Sequence, residues 1–188
     1  MKKLTSRKIA FYGVLSALMF VFLLTETYLL RGVFGDLTPA ILTLPFAVAL
    51  SLFKDKKGIW IGGTIFGCCS FFLAVCIGNI VFLNPLVSIL PRVFIGIVAY
   101  VVYWLVSKIF ASSKSNFLKE TLPVSLGGAF GILTNSVCTI TMMWLFNSAD
   151  IAVVLTTIIS VNFLAEVVGA CVLVPVYKNV LKRVENIL

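Results

Sequence analysis

Seven polar side chains stand where an apolar chain has least reason to put them. Asn84, Ser88, Arg92, Asn135, Thr139, Asn162 and Glu166 all lie within long hydrophobic stretches. Their types suit recognition better than bond breaking. A guanidinium grips a carboxylate through two parallel hydrogen bonds, while amides and hydroxyls complete a polar shell. Spacing groups them further. Asn84, Ser88, Arg92 and Gly96 follow at four-residue steps, as do Gly131, Asn135 and Thr139, and then Asn162 and Glu166, so each set shares a helix face. A charge turned toward lipid costs at least about 2.5–3.5 kcal/mol, so Arg92 and Glu166 should face the bundle interior or a wet cavity. Two roles are open to them: contacts to a ligand, or an internal Arg92–Glu166 ion pair bracing the bundle. Asn135 and Asn162 are open in the same way, as ligand contacts or as interhelical hydrogen bonds.

The elements that position these groups follow from the basic residues. Thirteen of the fifteen Lys and Arg fall into four clusters: Lys2/Lys3/Arg7/Lys8, Lys54/Lys56/Lys57, Lys108/Lys114/Lys119 and Lys178/Lys182/Arg183. Positive charge flanking membrane helices stays on the cytoplasmic side. Between successive clusters the chain must cross and return. The expectation is an all-α membrane protein of six transmembrane helices in a single domain, residues 1–188, with both termini cytoplasmic. Its spans run Ile9–Leu30, Pro39–Phe53, Ile59–Ile77, Leu86–Phe110, Leu122–Phe146 and Ile151–Val180. The second is short for a bilayer that needs about 20 residues, so it begins inside the protein or tilts little. Pro91 lies inside the fourth, where its missing donor should kink the helix. Composition agrees, with 61% hydrophobic and 12% charged residues. The net charge of +8 does not imply nucleic acid, because the basic residues flank apolar stretches and suit anchoring at an anionic lipid leaflet.

Depth can be counted from each inner lysine. Arg92 precedes Lys108 by sixteen residues, Asn135 follows Lys119 by sixteen, and Asn162 precedes Lys178 by sixteen. At ~1.5 Å per residue each sits about 24 Å above its anchor, in the outer part of a core about 30 Å thick. Glu26 lands slightly higher and Glu166 one turn deeper. Glu26, Tyr28 and Asp36 read as outer-rim residues, and Trp104 and Trp144 as interfacial aromatics.

Other chemistry is scarce. The chain has no His and no P-loop, which argues against His-dependent hydrolases, common zinc sites and direct ATP use. The five cysteines all lie in apolar stretches, and an odd number at that depth argues against a disulfide framework. Cys68, Cys69 and Cys76 share a helix face, but small-residue packing accounts for them better than a soft-metal site. No enzyme activity, metal or cofactor is expected. A self-sufficient ion-coupled carrier, suggested by Glu166, is the main rival to a binding subunit, although no internal repeat supports it.

Ala10, Gly13 and Ala17 form a smooth face near the inner end of the first span, suited to close approach by another helix, whether of this chain or of a partner. That face, the six-helix layout and the segment Asn84-Pro85-Leu86-Val87-Ser88-Ile89-Leu90-Pro91-Arg92 leading into Ile95-Gly96 resemble the substrate-binding S components of energy-coupling factor vitamin transporters. So do Leu133-Thr134-Asn135, and Asn162-Phe163-Leu164-Ala165-Glu166 followed by Val174-Pro175-Val176. The family's first-helix motif is Ala-x-x-x-Ala; here Val14 stands four residues after Ala10, and Gly13-x-x-x-Ala17 is the nearer match. The resemblance implies a vitamin-binding subunit of the bacterial plasma membrane, docked on a transmembrane coupling protein with two ATPase subunits. A lone Arg at that depth, ringed by Asn and Ser/Thr, suits a small monocarboxylate carrying hydroxyls and an amide. Pantothenate fits that description; riboflavin, folate or a pyrimidine precursor are the alternatives.

Overall fold

The computed structural model of the protein describes residues 6–34, 38–53, 58–146 and 163–187. Among the described residues there is no strand. The helices are α1 (Ser6–Phe34), α2 (Thr43–Phe53), α3 (Ile59–Ile77), the single turn α4 (Pro85–Ser88), α5 (Leu90–Ile109), α6 (Leu122–Leu145) and α7 (Phe163–Ile187). Five helical stretches, α1, α3, α4–α5, α6 and α7, are long and apolar enough to cross a bilayer. The chain is an all-α, multi-pass membrane protein.

The remaining helix, α2, organises the others. Its 11 residues are all buried. At ~1.5 Å per residue they rise only about 16 Å, roughly half the apolar thickness of a membrane. All five long helices touch it, and α1–α3, α3–α5, α5–α6 and α6–α7 pack as neighbours around it. The Phe22 and Tyr177 rings, 6.4 Å apart, link α1 to α7 on the remaining side. A short apolar helix is thus ringed by longer ones, and the volume beyond its N-terminus is left to be filled by something else.

Close approach depends on missing side chains. A Cβ on Gly62 would fall 1.9 Å from the Ala47 carbonyl oxygen of α2, and one on Gly63 would fall 2.0 Å from the Arg92 carbonyl oxygen of α5. Gly96 meets the Ile59 carbonyl of α3 in the same manner, so α3 wedges between α2 and α5 backbone to backbone. The outer faces are what lipid requires. On α7, Leu164, Val168, Val172 and Val176 are exposed at four-residue steps, while Glu166, Ala170, Val174 and Lys178 are buried on the other side. Trp104 and Trp144 are exposed. The Lys108 ammonium lies 4.2 Å from the Trp104 ring centre, and that of Lys178 lies 4.0 Å from the Tyr103 ring centre.

Several boundaries differ from the sequence expectation. The third span holds as Ile59–Ile77, whereas the first extends to Ser6–Phe34, since Arg31 and Gly32 do not end it. The second contracts to Thr43–Phe53 and does begin inside the protein. The fourth is not one kinked helix: it stops at Ser88, turns at Ile89 and restarts with Pro91 near a helix start, where a missing N–H is tolerated. Within the expected inner loop 111–121, residues Phe117–Thr121 form a wide π-type turn running into α6. The sixth span is described from Phe163 onward; Ile151–Asn162 and the connection before it lie outside the described residues.

Candidate functional site

Beyond the N-terminus of α2 lies a cavity of about 120 Å³. Its walls come from alternate helix ends, as up-and-down packing requires. Leu23, Thr27 and Arg31 come from the C-terminal half of α1, Ala40 from the segment just before α2, and Leu44 from the start of α2. Ser70 and Ala74 come from the second half of α3 and Phe66 from just before its midpoint, Asn135 and Thr139 from the second half of α6, and Arg92 and Glu166 from the first turns of α5 and α7. Every one of these ends is the end opposite the four basic clusters.

Two carboxylates are spent on α2 itself. Glu26, only 5% exposed, accepts hydrogen bonds from the Leu42 amide and the Thr43 hydroxyl, with the Thr43 amide 3.4 Å away. Glu166 Oε1 accepts from the Ala40 amide at 2.9 Å. A helix start has unpaired N–H groups and a partial positive charge, and no water reaches this one freely. Acidic side chains from α1 and α7 satisfy it. The expectation for Glu26 is therefore corrected: it is not a rim residue but a buried cap, held there because α2 ends at its depth. Tyr28 is exposed; Asp36 lies outside the described residues.

Arg92 is placed differently. It is 5% exposed, and its Nη1 donates to the Val87 carbonyl at 2.8 Å. The guanidinium carbon lies 4.9 Å from the Phe82 ring centre and 5.5 Å from that of Phe66, so aromatic faces stabilise the cation on its flanks. Nε is buried without a partner. Among the described residues no ion pair joins Arg92 to Glu166; the bracing pair that the spacing allowed is not formed, because Glu166 is drawn to the Ala40 amide instead. The cation thus lines the cavity with no countercharge in contact among the described residues.

Asn135 and Thr139 stand across from it on α6, and Asn135 Oδ1 and Thr139 Oγ1 are both buried without partners. Thr139 contrasts with its neighbours. The hydroxyls of Thr134 and Thr141 turn back to the carbonyls four residues earlier, at 2.8 Å each, as hydroxyls in a lipid-facing helix do. Thr139 does not.

Neither a scan against protein-family models nor a search of curated proteins finds a match to this chain.

The structure thus brings Arg92, Asn135, Thr139 and Glu166 to one cavity. Asn84 and Ser88 are not in its wall. The Asn84 side chain caps α4 by accepting from the Leu86 amide at 3.0 Å, and the fully buried Ser88 hydroxyl donates to the Phe82 carbonyl. Ser88 thereby holds the turn that lays Phe82 against Arg92. Asn162 lies outside the described residues. The sequence reading missed Phe66, Phe82 and Asn79, which also line the cavity. Phe82 and Asn79 sit in the turn between α3 and α4, a region whose short 3₁₀ segment carries no periodic signal. Ala10, Gly13 and Ala17 share an exposed face of α1, and a Cβ added at Gly13 would meet no atom of the described residues within 4 Å. Packing against the described helices is not what keeps that face small.

Proposed function

We propose that this chain is the substrate-binding subunit of an energy-coupling factor transporter in a bacterial plasma membrane. It takes a small vitamin monocarboxylate, with pantothenate the leading candidate, into the cavity beyond α2. One observation carries the reading: a buried guanidinium in the cavity wall has its Nε without a partner and, among the described residues, no carboxylate paired to it. Desolvating a charge without a partner costs several kcal/mol, so a site of this kind is complete only with an anion in it. The unpartnered oxygens of Asn135 and Thr139 suit the donors of an amide or hydroxyl on the same molecule. The exposed small-residue face at Ala10, Gly13 and Ala17 suits close packing against a coupling-protein helix, which would bring ATP hydrolysis by two partner ATPases to a chain without a P-loop.

Calorimetry of the purified protein against pantothenate, riboflavin, folate and a thiamine-precursor pyrimidine tests the reading. The expected result is tight one-to-one binding of pantothenate without turnover; no saturable binding of any of the four to folded protein removes it. The docking face is tested by Gly13→Trp. Because none of the described residues lies near that position, binding should be unchanged while uptake in cells holding the whole transporter is abolished. Normal uptake would remove the docking proposal.

A further inference from the structure

Only two of the fifteen Lys and Arg residues fall outside the four basic clusters, and both line the same cavity. Arg92 is buried; Arg31 is exposed. Arg31 stands in the last turn of α1, where a cation meets the partial negative charge of a helix end. That accounts for a basic residue there but not for its place in the cavity wall. Leu23, Thr27 and Arg31 follow at four-residue steps, a stripe rising about 12 Å, and Arg31 is its outermost member. On α3 the wall runs outward from Phe66 to Ile77, and the Arg92 guanidinium lies against Phe66, 5.5 Å from its ring centre. One cation thus sits at the inner end of the cavity and the other at its outer end.

The two cations have different reach. Glu26 and Glu166 are turned to the start of α2, and Arg31 lies five residues beyond Glu26 along α1. Charges are screened over about 8 Å at physiological ionic strength. A solute at the outer end therefore meets the field of Arg31 before that of Arg92. We propose that Arg31 is a specificity-determining residue: its charge at the outer end of the wall favours anions over cations at entry, ahead of the buried Arg92. This deepens the anion-binding role proposed above and rests on it for the identity of the occupant alone.

The test uses charged thiol reagents in place of a vitamin. Ala40→Cys puts a thiol in the wall on a different element, and residues 32–53 contain no native cysteine, so labelling there is read separately by mass spectrometry. Protein in phosphatidylcholine nanodiscs is treated with the anionic sulfonatoethyl and the cationic trimethylammonioethyl methanethiosulfonates. Each rate is divided by that for a free thiol in solution, and the ratio of the two cancels any change in thiolate content. With Arg31 intact the anionic reagent should be favoured. Arg31→Gln should lower the anion-to-cation ratio by about threefold or more, and Arg31→Lys should retain it. Salt at about 1 M, where the screening length is about 3 Å, should remove the difference between parent and variant. Arg31→Met, which keeps an apolar stem without the charge, serves if Arg31→Gln does not fold. An unchanged ratio in a folded variant overturns the proposal, since Arg31 then only closes the helix or is neutralised by an acidic neighbour. Failure of both reagents to reach residue 40 overturns it too, because the outer end is then closed. The calorimetric panel reports separately on the vitamin, so either result can fail without the other.

Discussion

Two buried charge centres, one at the start of α2 and one at the start of α5, are treated in opposite ways. At the start of α2, Glu26 and Glu166 meet the amides of Leu42 and Ala40, and the Thr43 hydroxyl is engaged as well. At the start of α5, Arg92 has one carbonyl, two aromatic faces and an unpartnered Nε. Charge matched by backbone groups is architecture: it holds α1, α2 and α7 together where no water can. Charge left incomplete, beside the unpartnered oxygens of Asn135 and Thr139 in the same cavity wall, is the feature on which the proposed binding role rests. Burial and charge alone do not separate the two cases. The state of the remaining hydrogen-bonding positions does.

The comparison breaks most visibly at Arg92. Arg92→Ala should reduce affinity for the bound carboxylate by about 2–5 kcal/mol, a loss of thirtyfold or more, while the melting temperature holds or rises because an incompletely matched buried charge is gone. Arg92→Lys should recover little, since an ammonium does not reproduce the fork. Titration and melting curves of the two variants check this; a large drop in stability with affinity retained would make Arg92 structural after all.

Glu26→Ala should show the opposite pattern. It strands the Leu42 amide and the Thr43 hydroxyl in a buried place, at about 1–3 kcal/mol per unsatisfied group, so thermal stability should fall clearly. Ligand affinity should fall less than in Arg92→Ala. If Glu26→Ala melts like the parent, the capping account of α2 fails.

Glu166 sits between the two patterns, since it caps Ala40 and also lines the cavity. Glu166→Gln keeps an acceptor for the Ala40 amide, so stability should change by no more than about 1 kcal/mol, with any larger effect confined to binding. A stability loss as large as that of Glu26→Ala would place Glu166 wholly with the architecture. The smallest effect is expected at Thr139. Thr139→Val removes an unpartnered hydroxyl, so binding should weaken by about 0.5–1.5 kcal/mol with stability unchanged or slightly higher. Thr134→Val, whose hydroxyl bonds its own helix, should leave binding unaltered.

Much of this was legible in the chain. Arg92 and Glu166 stand out because a charge in an apolar run is expensive wherever the run folds, and counting from the inner lysines places them with Asn135 near one depth. Asn84 and Ser88 misled for a definite reason. Four-residue steps define a face only along an unbroken helix, and the turn at Ile89 divides them from Arg92, so one became a cap and the other a prop for Phe82. Glu26 read as a rim residue because nothing near it in sequence shows that α2 starts at its level.

Which stretches are apolar and which charges fall inside them follow from the sequence alone, because the cost of placing a polar group in hydrocarbon is set locally, residue by residue. Which charges are satisfied is another matter. Glu166 finds its partner 126 residues away at Ala40, and Glu26 finds its own on a helix too short to reach its end of the membrane. Hydrogen bonds need partners within about 3 Å, and only the packing of five long helices around one short one brings those partners to Glu26 and Glu166 while leaving Arg92 Nε without one.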